Sequence, residues 1–409
     1  EAAAVRALSR YDIVTESTSR VVVITEFSSN EELAAKVRYE FSHSRYVYIP
    51  SGSMDSLRKD GKELDMSYLQ EFGIWSRQLV QYIDYEQRFS NPKAQHIHTT
   101  IRDFVNAIDD PKVLQVVLDL PLNQSLPCGL TCPNDGDNDS LTIALGAFFI
   151  TPAVLTDAHH DAEGHSTAIV GQKGVKFWSI LTLKPQLQPP GSFHRVYTPI
   201  PSFATGAAFF VYEALHWTEI SRHIDARDHR SVTDIEHDDP SGYQMLLAMQ
   251  AMGSRLFYKR ALSAHCLMIL APEDYVYQRR SLQKDFNGNE EKQTYRTKKT
   301  RLEEIRSLLH YEHGIEYADQ IRLFLGFQTQ DSLRSYVHNF KGDGPDELVS
   351  IAPINPPVSD IPSMITLCFN HTASIGHYRL KGALRAANTE WFSKSRLIPV
   401  LNRRARPGF

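Results

Sequence analysis

A short polar stretch that begins at Thr156 carries most of the side chains that could do metal chemistry. It reads Thr-Asp-Ala-His-His-Asp-Ala-Glu-Gly-His-Ser-Thr, and within it His159 and Asp161 form a His-x-Asp pair. At the end of an extended strand, residues i and i+2 project to one side, about 6–7 Å apart. An imidazole and a carboxylate so placed can reach one cation, and two histidines with one carboxylate suit Fe(II), which keeps open positions for other ligands. The same pair is also common in the polar lining of a turn.

Two later segments add a lysine and a histidine that fit such a centre. The first is Gly174-Val-Lys176-Phe-Trp178, in an apolar stretch of strand length. A lysine that points into a barrel is costly unless it meets an anion, and beside a metal the natural anion is the carboxylate of a small organic acid. The second is Pro189-Pro190-Gly191-Ser-Phe-His194, a turn that delivers a histidine into a β-rich segment.

Taken in order, these motifs resemble a known family. Thr-x-x-His-x-Asp-x-x-Gly, Gly-x-Lys-x-Trp and Pro-Pro-Gly-x-x-His-x-Val resemble the jumonji C (JmjC) branch of the Fe(II)- and 2-oxoglutarate-dependent dioxygenases, which are oxidoreductases of cupin type. Thr100-Ile-Arg-Asp103-Phe104 also resembles the segment that leads into the family's barrel. The resemblance covers roughly residues 100–210.

The resemblance implies a set of site residues, two cofactors and a class of substrate. The implied metal ligands are His159, Asp161 and His194. Lys176 is implied to pair with the distal carboxylate of 2-oxoglutarate, and Thr156 and Thr167 are further candidates for co-substrate contact. The implied activity consumes dioxygen and 2-oxoglutarate, and it hydroxylates a protein side chain or demethylates methyl-lysine.

The third metal ligand and the catalytic activity both stay open at this point. Only 17 residues separate Lys176 from His194, whereas two further strands with their turns need roughly 15–20. Spacing therefore favours His216, in Ala214-Leu-His216-Trp217, as the third ligand, while the Pro-Pro-Gly motif favours His194. We predict that His194 is the third ligand. The short interval also supports an alternative, in which the barrel has lost catalysis and serves as a binding or scaffold protein.

A second His-x-Asp pair supports another alternative, a metal-dependent hydrolase. This pair is His223-Ile-Asp225, and it is followed by the polar residues Asp228, His229, His237 and Asp238. No lysine on a strand follows it, so we interpret the run as a solvated helix or loop surface.

The elements around these motifs predict an α+β fold. Ser28 or Ser29, with Glu31 and Glu32, has capping-box spacing and predicts a helix that extends through Glu40. From residue 141, close-spaced strand-sized segments predict a double-stranded β-helix, or jelly roll; they are Thr142–Ile150, Ser166–Val170, Val175–Leu183, His194–Tyr197 and Gly206–Tyr212. We predict an N-terminal flank over 1–110, a JmjC-type core over 111–220 and a mainly helical region over 221–409.

Composition excludes some classes of protein and favours others. The 409 residues carry 44 basic and 48 acidic side chains, so a chain-wide surface for polyanions is excluded. The segment 378–409 holds eight basic residues and one acidic residue, a weak indication of nucleic-acid binding. The longest apolar stretch, 143–155, is too short to span a bilayer, so we predict no membrane partner. The four cysteines are too few for a disulfide scaffold, which favours an intracellular protein, nuclear or cytoplasmic. The oligomeric state is left open.

Overall fold

The structure is a computed structural model, and it describes a little over half of the chain. The described residues are 6, 16–18, 21–50, 63–84, 97–110, 113–121, 140–150, 154–161, 164–180, 190–228, 256–276, 298–307, 311–339, 346–351 and 354. The basic segment 378–409 and the residues His229, His237 and Asp238 lie outside them.

The N-terminal flank pairs a short two-stranded sheet with one helix. Strand β1 (Val21–Val23) lies parallel to β2 (Tyr46–Tyr48), and helix α1 (Asn30–Ser42) connects them. The predicted capping box is present, because Ser29 Oγ accepts from the backbone N–H of Glu32 and the Glu32 carboxylate accepts from the backbone N–H of Ser28, at 3.2 and 2.8 Å. The helix prediction is confirmed.

A six-stranded antiparallel sheet forms the largest layer of the molecule. Its strands are β3 (Leu79–Asp84), β4 (Ile97–Thr100), β5 (Gln115–Pro121), β6 (Ser140–Ile150), β8 (Ser166–Lys173) and β11 (Ser202–Val211). They lie in the order β4-β3-β5-β6-β11-β8. Helices α2 (Met66–Gln70) and α3 (Ile101–Asn106) cover one part of this sheet. The buried rings of Tyr68, Phe72, Phe104 and Phe203 fill the interior between them.

A separate three-stranded sheet carries the residues of interest. It consists of β7 (Val154–His159), β9 (Phe177–Ile180) and β10 (His194–Thr198), in the antiparallel order β7-β10-β9. Each strand-sized segment predicted between residues 142 and 212 contains a strand. Within the described ranges these strands form separate sheets and no closed barrel. The α+β class is therefore confirmed, while the jelly roll and the three domain boundaries stay predictions.

The described residues that follow the larger sheets are mainly helical, as predicted. They include α4 (Leu215–Asp228), α5 (Lys259–Leu270), α6 (Lys298–Arg306), α7 (Tyr311–Phe324) and α8 (Gln330–Asn339). A small antiparallel sheet of β12 (Leu256–Tyr258) and β13 (Leu348–Ser350) accompanies them. Helix α5 is the centre of this region, because every residue from 261 to 269 is buried. The apolar spacing of Tyr243–Leu256 predicts a helix, but residues 243–255 lie outside the described part of the chain, and Leu256 opens β12 instead.

The helices in the described part of the chain have at most 14 residues. None of them combines the length and the apolar content that crossing a membrane requires.

Candidate metal centre

The two histidines and the carboxylate predicted as metal ligands meet at one point. One nitrogen of His159, one nitrogen of His194 and one carboxylate oxygen of Asp161 all lie within 4.8 Å of one another. The rings of the two histidines are 4.2 Å apart between centroids. This is the arrangement that three side chains need in order to share one cation.

The pairing of two strands explains this convergence. His159 ends β7, His194 begins β10, and the two residues are direct partners in the antiparallel register. Asp161 follows His159 by two residues, so the strand end carries both groups to the same side. The turn before β10 depends on Gly191, whose φ is +75°. Residues other than glycine rarely adopt this backbone conformation.

Burial keeps His194 neutral and ready to act as a ligand. It lowers the pKa of His194 to about 4, and the nearby negative charge of Asp161 offsets only part of that effect. His194 Nδ1 lies 3.2 Å from the backbone oxygen of Ser192, which accepts a hydrogen bond, so Nδ1 carries the proton. The lone pair is therefore on Nε2, as in a metal-binding histidine whose other nitrogen is fixed by a carbonyl.

Thr167 holds the carboxylate of the centre. Its hydroxyl, on the buried face of β8, donates a short hydrogen bond to Asp161 Oδ2. A hydroxyl that donates to a ligating carboxylate fixes its orientation. Thr167 thus contacts a predicted ligand, whereas its predicted contact with the co-substrate stays a prediction.

Lys176 lies in the tight connection between β8 and β9, directly before Phe177. Gly174 makes that connection possible, since it has a φ of +82° and a Cβ there would lie 2.3 Å from the Pro201 carbonyl oxygen. The Ser202 hydroxyl accepts from the backbone N–H of Val175 at 3.1 Å and secures the same turn. Burial lowers the pKa of Lys176 to about 8. An ammonium in such surroundings gains from a carboxylate partner.

Thr156, the remaining candidate for co-substrate contact, lies on β7 opposite Val196 of β10 and is partly buried. It is therefore on the strand that carries His159, three residues before it. Its role at the co-substrate stays a prediction.

His216, the alternative third ligand, lies elsewhere. It is buried in the first turn of α4, where burial and the positive charge of Arg260 lower its pKa to about 3. Among the described residues, His194 is the histidine that joins His159 and Asp161. The spacing argument fails because β10 lies directly between β7 and β9, so the chain returns to His159 at His194.

His160 faces away from the centre and contacts α4. Its Nε2 lies 2.8 Å from Asp225 Oδ1, a close ion pair that is not aligned as a hydrogen bond. Its Nδ1 lies 2.9 Å from the backbone oxygen of Asp161. Burial lowers the pKa of His160, but the Asp225 carboxylate and the Asp161 carbonyl outweigh that effect and the pKa is raised overall.

One face of α4 supports both loops that carry the centre. Thr218 Oγ1 donates to the carbonyl of Gly164 at 2.8 Å, and a Cβ on Gly164 would lie 2.6 Å from the Thr218 carbonyl oxygen. A Cβ on Gly191 would lie 3.2 Å from the Cβ of Ser221. With Asp225, these helix residues follow i, i+3, i+7 spacing, which places them on one face. The helix therefore positions the loop after His159 and the turn before His194.

Tyr46 is a residue at the centre that the sequence did not indicate. Its side chain is 1% exposed, and its phenol is close enough to Asp161 and Ser192 for both to affect its ionisation. Burial raises its pKa, the Ser192 side chain lowers it, and the Asp161 charge raises it further. Tyr46 and its neighbour Val47 are both buried and Tyr48 is exposed, so the strand has no period-two pattern that would mark Tyr46 as an inward residue. Only the packing of the flank on the core shows that it reaches the centre.

The second His-x-Asp pair does not converge. Successive residues of an α-helix are 100° apart, so His223 and Asp225 leave α4 about 200° apart. Asp225 contacts His160, while His223 lies beside His338 of α8, with ring centroids 4.7 Å apart. Glu219, His223 and His338 form a second group whose donor atoms lie within 4.8 Å of one another.

No family model matches the chain, and no curated protein matches it. The functional evidence lies in the chain's own residues. Two histidines and one carboxylate come together at the junction of β7 and β10.

Proposed function

We propose that this protein is an Fe(II)- and 2-oxoglutarate-dependent oxygenase of the jumonji C type. The observation that carries the proposal is the convergence of His159, Asp161 and His194 on paired ends of β7 and β10. These three residues come from two separate sequence motifs, and both motifs belong to the resemblance to the jumonji C family.

The donor set fits ferrous iron. Two imidazoles and one carboxylate on one side leave coordination positions open, as in the facial triad of non-haem Fe(II) oxygenases. His194 is neutral, and its Nδ1 proton is held by a carbonyl, so Nε2 is available without loss of a proton. Asp161 is oriented by Thr167. The same donors also accept other divalent ions, so the choice of iron rests on the resemblance.

The arrangement of strands supports a double-stranded β-helix around this centre. From β6 to β9, consecutive strands alternate between the six-stranded and the three-stranded sheet. The chain then adds β10 to the smaller sheet and β11 to the larger one. Alternation of consecutive strands between two sheets is a feature of jelly-roll winding and supports this part of the proposal.

In this proposal each residue has a distinct task. Bound iron supplies the activation of dioxygen that is coupled to decarboxylation of 2-oxoglutarate. One oxygen atom enters succinate and the other enters the product, so 2-oxoglutarate, dioxygen and substrate give succinate, carbon dioxide and hydroxylated substrate. Lys176 pairs with the distal carboxylate of the co-substrate, and Thr156 of β7 donates a hydrogen bond to the same carboxylate. The substrate is a protein side chain in this proposal, an assignment that rests on the resemblance alone.

Two buried histidines provide a matched test of the proposal. The full chain is reconstituted anaerobically with Fe(II), supplied with 2-oxoglutarate and oxygen, and assayed for bound iron and for succinate. His194→Gln should lose both, whereas His216→Gln should keep both, provided circular dichroism shows each variant folded. Iron retention by folded His194→Gln, or iron loss by folded His216→Gln, would contradict the ligand assignment. If the wild-type protein binds iron and 2-oxoglutarate but forms no succinate, the scaffold alternative replaces the oxygenase.

A further inference from the structure

A second cluster of two histidines and one carboxylate joins two helices far from each other in the sequence. Glu219 and His223 lie one turn apart on α4, and His338 comes from α8, 119 residues beyond Glu219. The Glu219 Oε1 to His338 Nε2 distance is 3.0 Å. All three side chains offer a donor atom within 4.8 Å of the other two.

The surroundings of Glu219 favour a cation at this cluster. The carboxylate is 1% exposed, and burying a carboxylate is costly unless a positive charge or several donors compensate it. The Tyr275 hydroxyl donates to Glu219 Oε1 at 2.8 Å, and His338 contacts the same oxygen. The hydrogen bond to Glu219 raises the pKa of His338, so positive charge is already drawn to this point.

The two histidines have different protonation tendencies. Burial lowers the pKa of His223, which leaves it a neutral ring with a free lone pair. Asp274, which pairs with Arg334 at 3.0 Å, lies near both rings. The positive charge of Arg334 acts on His338, and that of Arg227 acts on His223. Arg260 lies close enough to Glu219 to interact with its charge. A divalent ion would compete with a proton for His338, whose pKa is raised by Glu219, and would be bound by one carboxylate and two neutral imidazoles.

We propose that Glu219, His223 and His338 form a second metal site, which takes a divalent ion of the zinc class. Three protein ligands of this kind, with water as the fourth, are a frequent zinc environment. Donor atoms about 2.0–2.1 Å from zinc lie roughly 3.4 Å apart in a tetrahedron, so the present separations need only small side-chain adjustments. No thiolate takes part, and the proposal does not depend on the activity at the first centre.

The position of the site gives it a structural consequence. Its ligands on α4 lie on a different helix face from Thr218, Ser221 and Asp225, which support the loops of the first centre. A metal would link α8 directly to α4, although three of the described helices, α5 to α7, separate the two in the sequence. Loading should therefore raise the thermal stability of the protein, because the ion binds the folded chain and not the unfolded one.

The test uses the full chain in a background that lacks the first centre. In the Asp161→Asn, His194→Gln background, Zn²⁺ retained after dialysis is measured by elemental analysis, and Co²⁺ is used as a spectroscopic probe. We expect one retained equivalent, a visible Co²⁺ absorption band typical of tetrahedral coordination, and an increase in melting temperature on loading.

Matched histidine variants locate the ion. Adding His338→Gln or, separately, His223→Gln should abolish the retained equivalent and the band. His313→Gln, an exposed histidine on α7 outside both clusters, should leave them unchanged. If the background does not fold, the wild-type protein serves instead, with two equivalents expected and one after His223→Gln. The proposal is overturned if no zinc is retained, or if His223→Gln and His338→Gln do not change the retained zinc. In that case the cluster is a hydrogen-bonded pair of Glu219 and His338.

Discussion

The two clusters contain the same donor types and are built on different elements. In the strand-borne cluster, His159 and Asp161 converge at i, i+2, because strand side chains alternate with a period of two. In the helix-borne cluster, Glu219 and His223 converge at i, i+4, because a helix repeats every 3.6 residues. The identical His-x-Asp motif therefore joins its two groups at 159–161 and separates them at 223–225. Motif spacing predicts a site only when the element that carries the motif is known.

The clusters also differ in how they hold protons. Burial lowers the pKa of His194 to about 4, so the strand-borne cluster takes a cation near neutral pH without displacing a proton there. The pKa of His338 is raised by Glu219, so a cation at the helix-borne cluster must compete with a proton. As the pH falls, metal binding should therefore weaken first at the helix-borne cluster. Metal binding at the strand-borne cluster should weaken only at a lower pH.

The largest expected effect comes from exchanging the carboxylate of each cluster for an amide. Asp161→Asn should reduce succinate formation at least about 100-fold, because loss of a ligand exceeds the 10–100-fold cost of losing a group that supports one. Glu219→Gln should leave succinate formation nearly unchanged. Both variants are assayed for iron and succinate at saturating 2-oxoglutarate. The opposite pattern would make the helix-borne cluster the catalytic one.

The next effect is on stability and separates the two faces of α4. Asp225→Asn should lower the free energy of unfolding by about 3 kcal/mol, since it leaves His160 buried without its partner. His223→Gln, on the half-buried opposite side, should cost less in metal-free protein. Both are measured by chemical denaturation with chelator present.

The pH dependence of this difference has a defined sign. The pKa of His160 is raised in the folded state, so the stabilisation by the pair is fully present below the ordinary histidine pKa. It is lost as the pH rises through the raised value. The difference between wild type and Asp225→Asn should thus be larger at pH 6 than at pH 9. An equal difference at both values would show that the pair is not ionic.

Sequence reasoning found the strand-borne cluster because its information is local. His159, Asp161 and His194 stand in short motifs, and the turn glycine before His194 and the extended segments around it are visible in the chain. The helix-borne cluster needs the contact of α4 with α8, and nothing near His338 in the sequence indicates Glu219. Tyr46 was missed for the same reason. Helix α5 was not predicted either, since its almost uniformly buried residues lack the polar face that marks an amphipathic helix.

A smaller effect is expected at the co-substrate. Lys176→Met should raise the KM for 2-oxoglutarate about 10–100-fold, because a hydrogen bond to a charged group contributes roughly 1.5–3 kcal/mol. Iron content should not change. Lys173→Met is the matched control, since Lys173 lies three residues earlier with its ammonium 5.7 Å from the centre of the Tyr68 ring. Equal KM values for the two variants would remove Lys176 from the co-substrate site.

The smallest effect tests whether the N-terminal flank takes part in the strand-borne cluster. Tyr46→Phe removes one buried hydroxyl near Asp161 and Ser192 and keeps the ring that packs in the interior. The hydroxyl makes no hydrogen bond among the described residues. A hydrogen bond that it forms to Asp161 when a metal is bound would contribute about 0.5–1.5 kcal/mol, so the affinity for iron should fall roughly 2–10-fold. Tyr48→Phe, at the exposed end of the same strand, should leave the affinity for iron unchanged. Zinc binding at the helix-borne cluster should be equal in both variants, because Tyr46 acts through Asp161. If Tyr46→Phe weakens metal binding at both clusters alike, the hydroxyl stabilises the whole fold, and the flank has no specific part in the first centre.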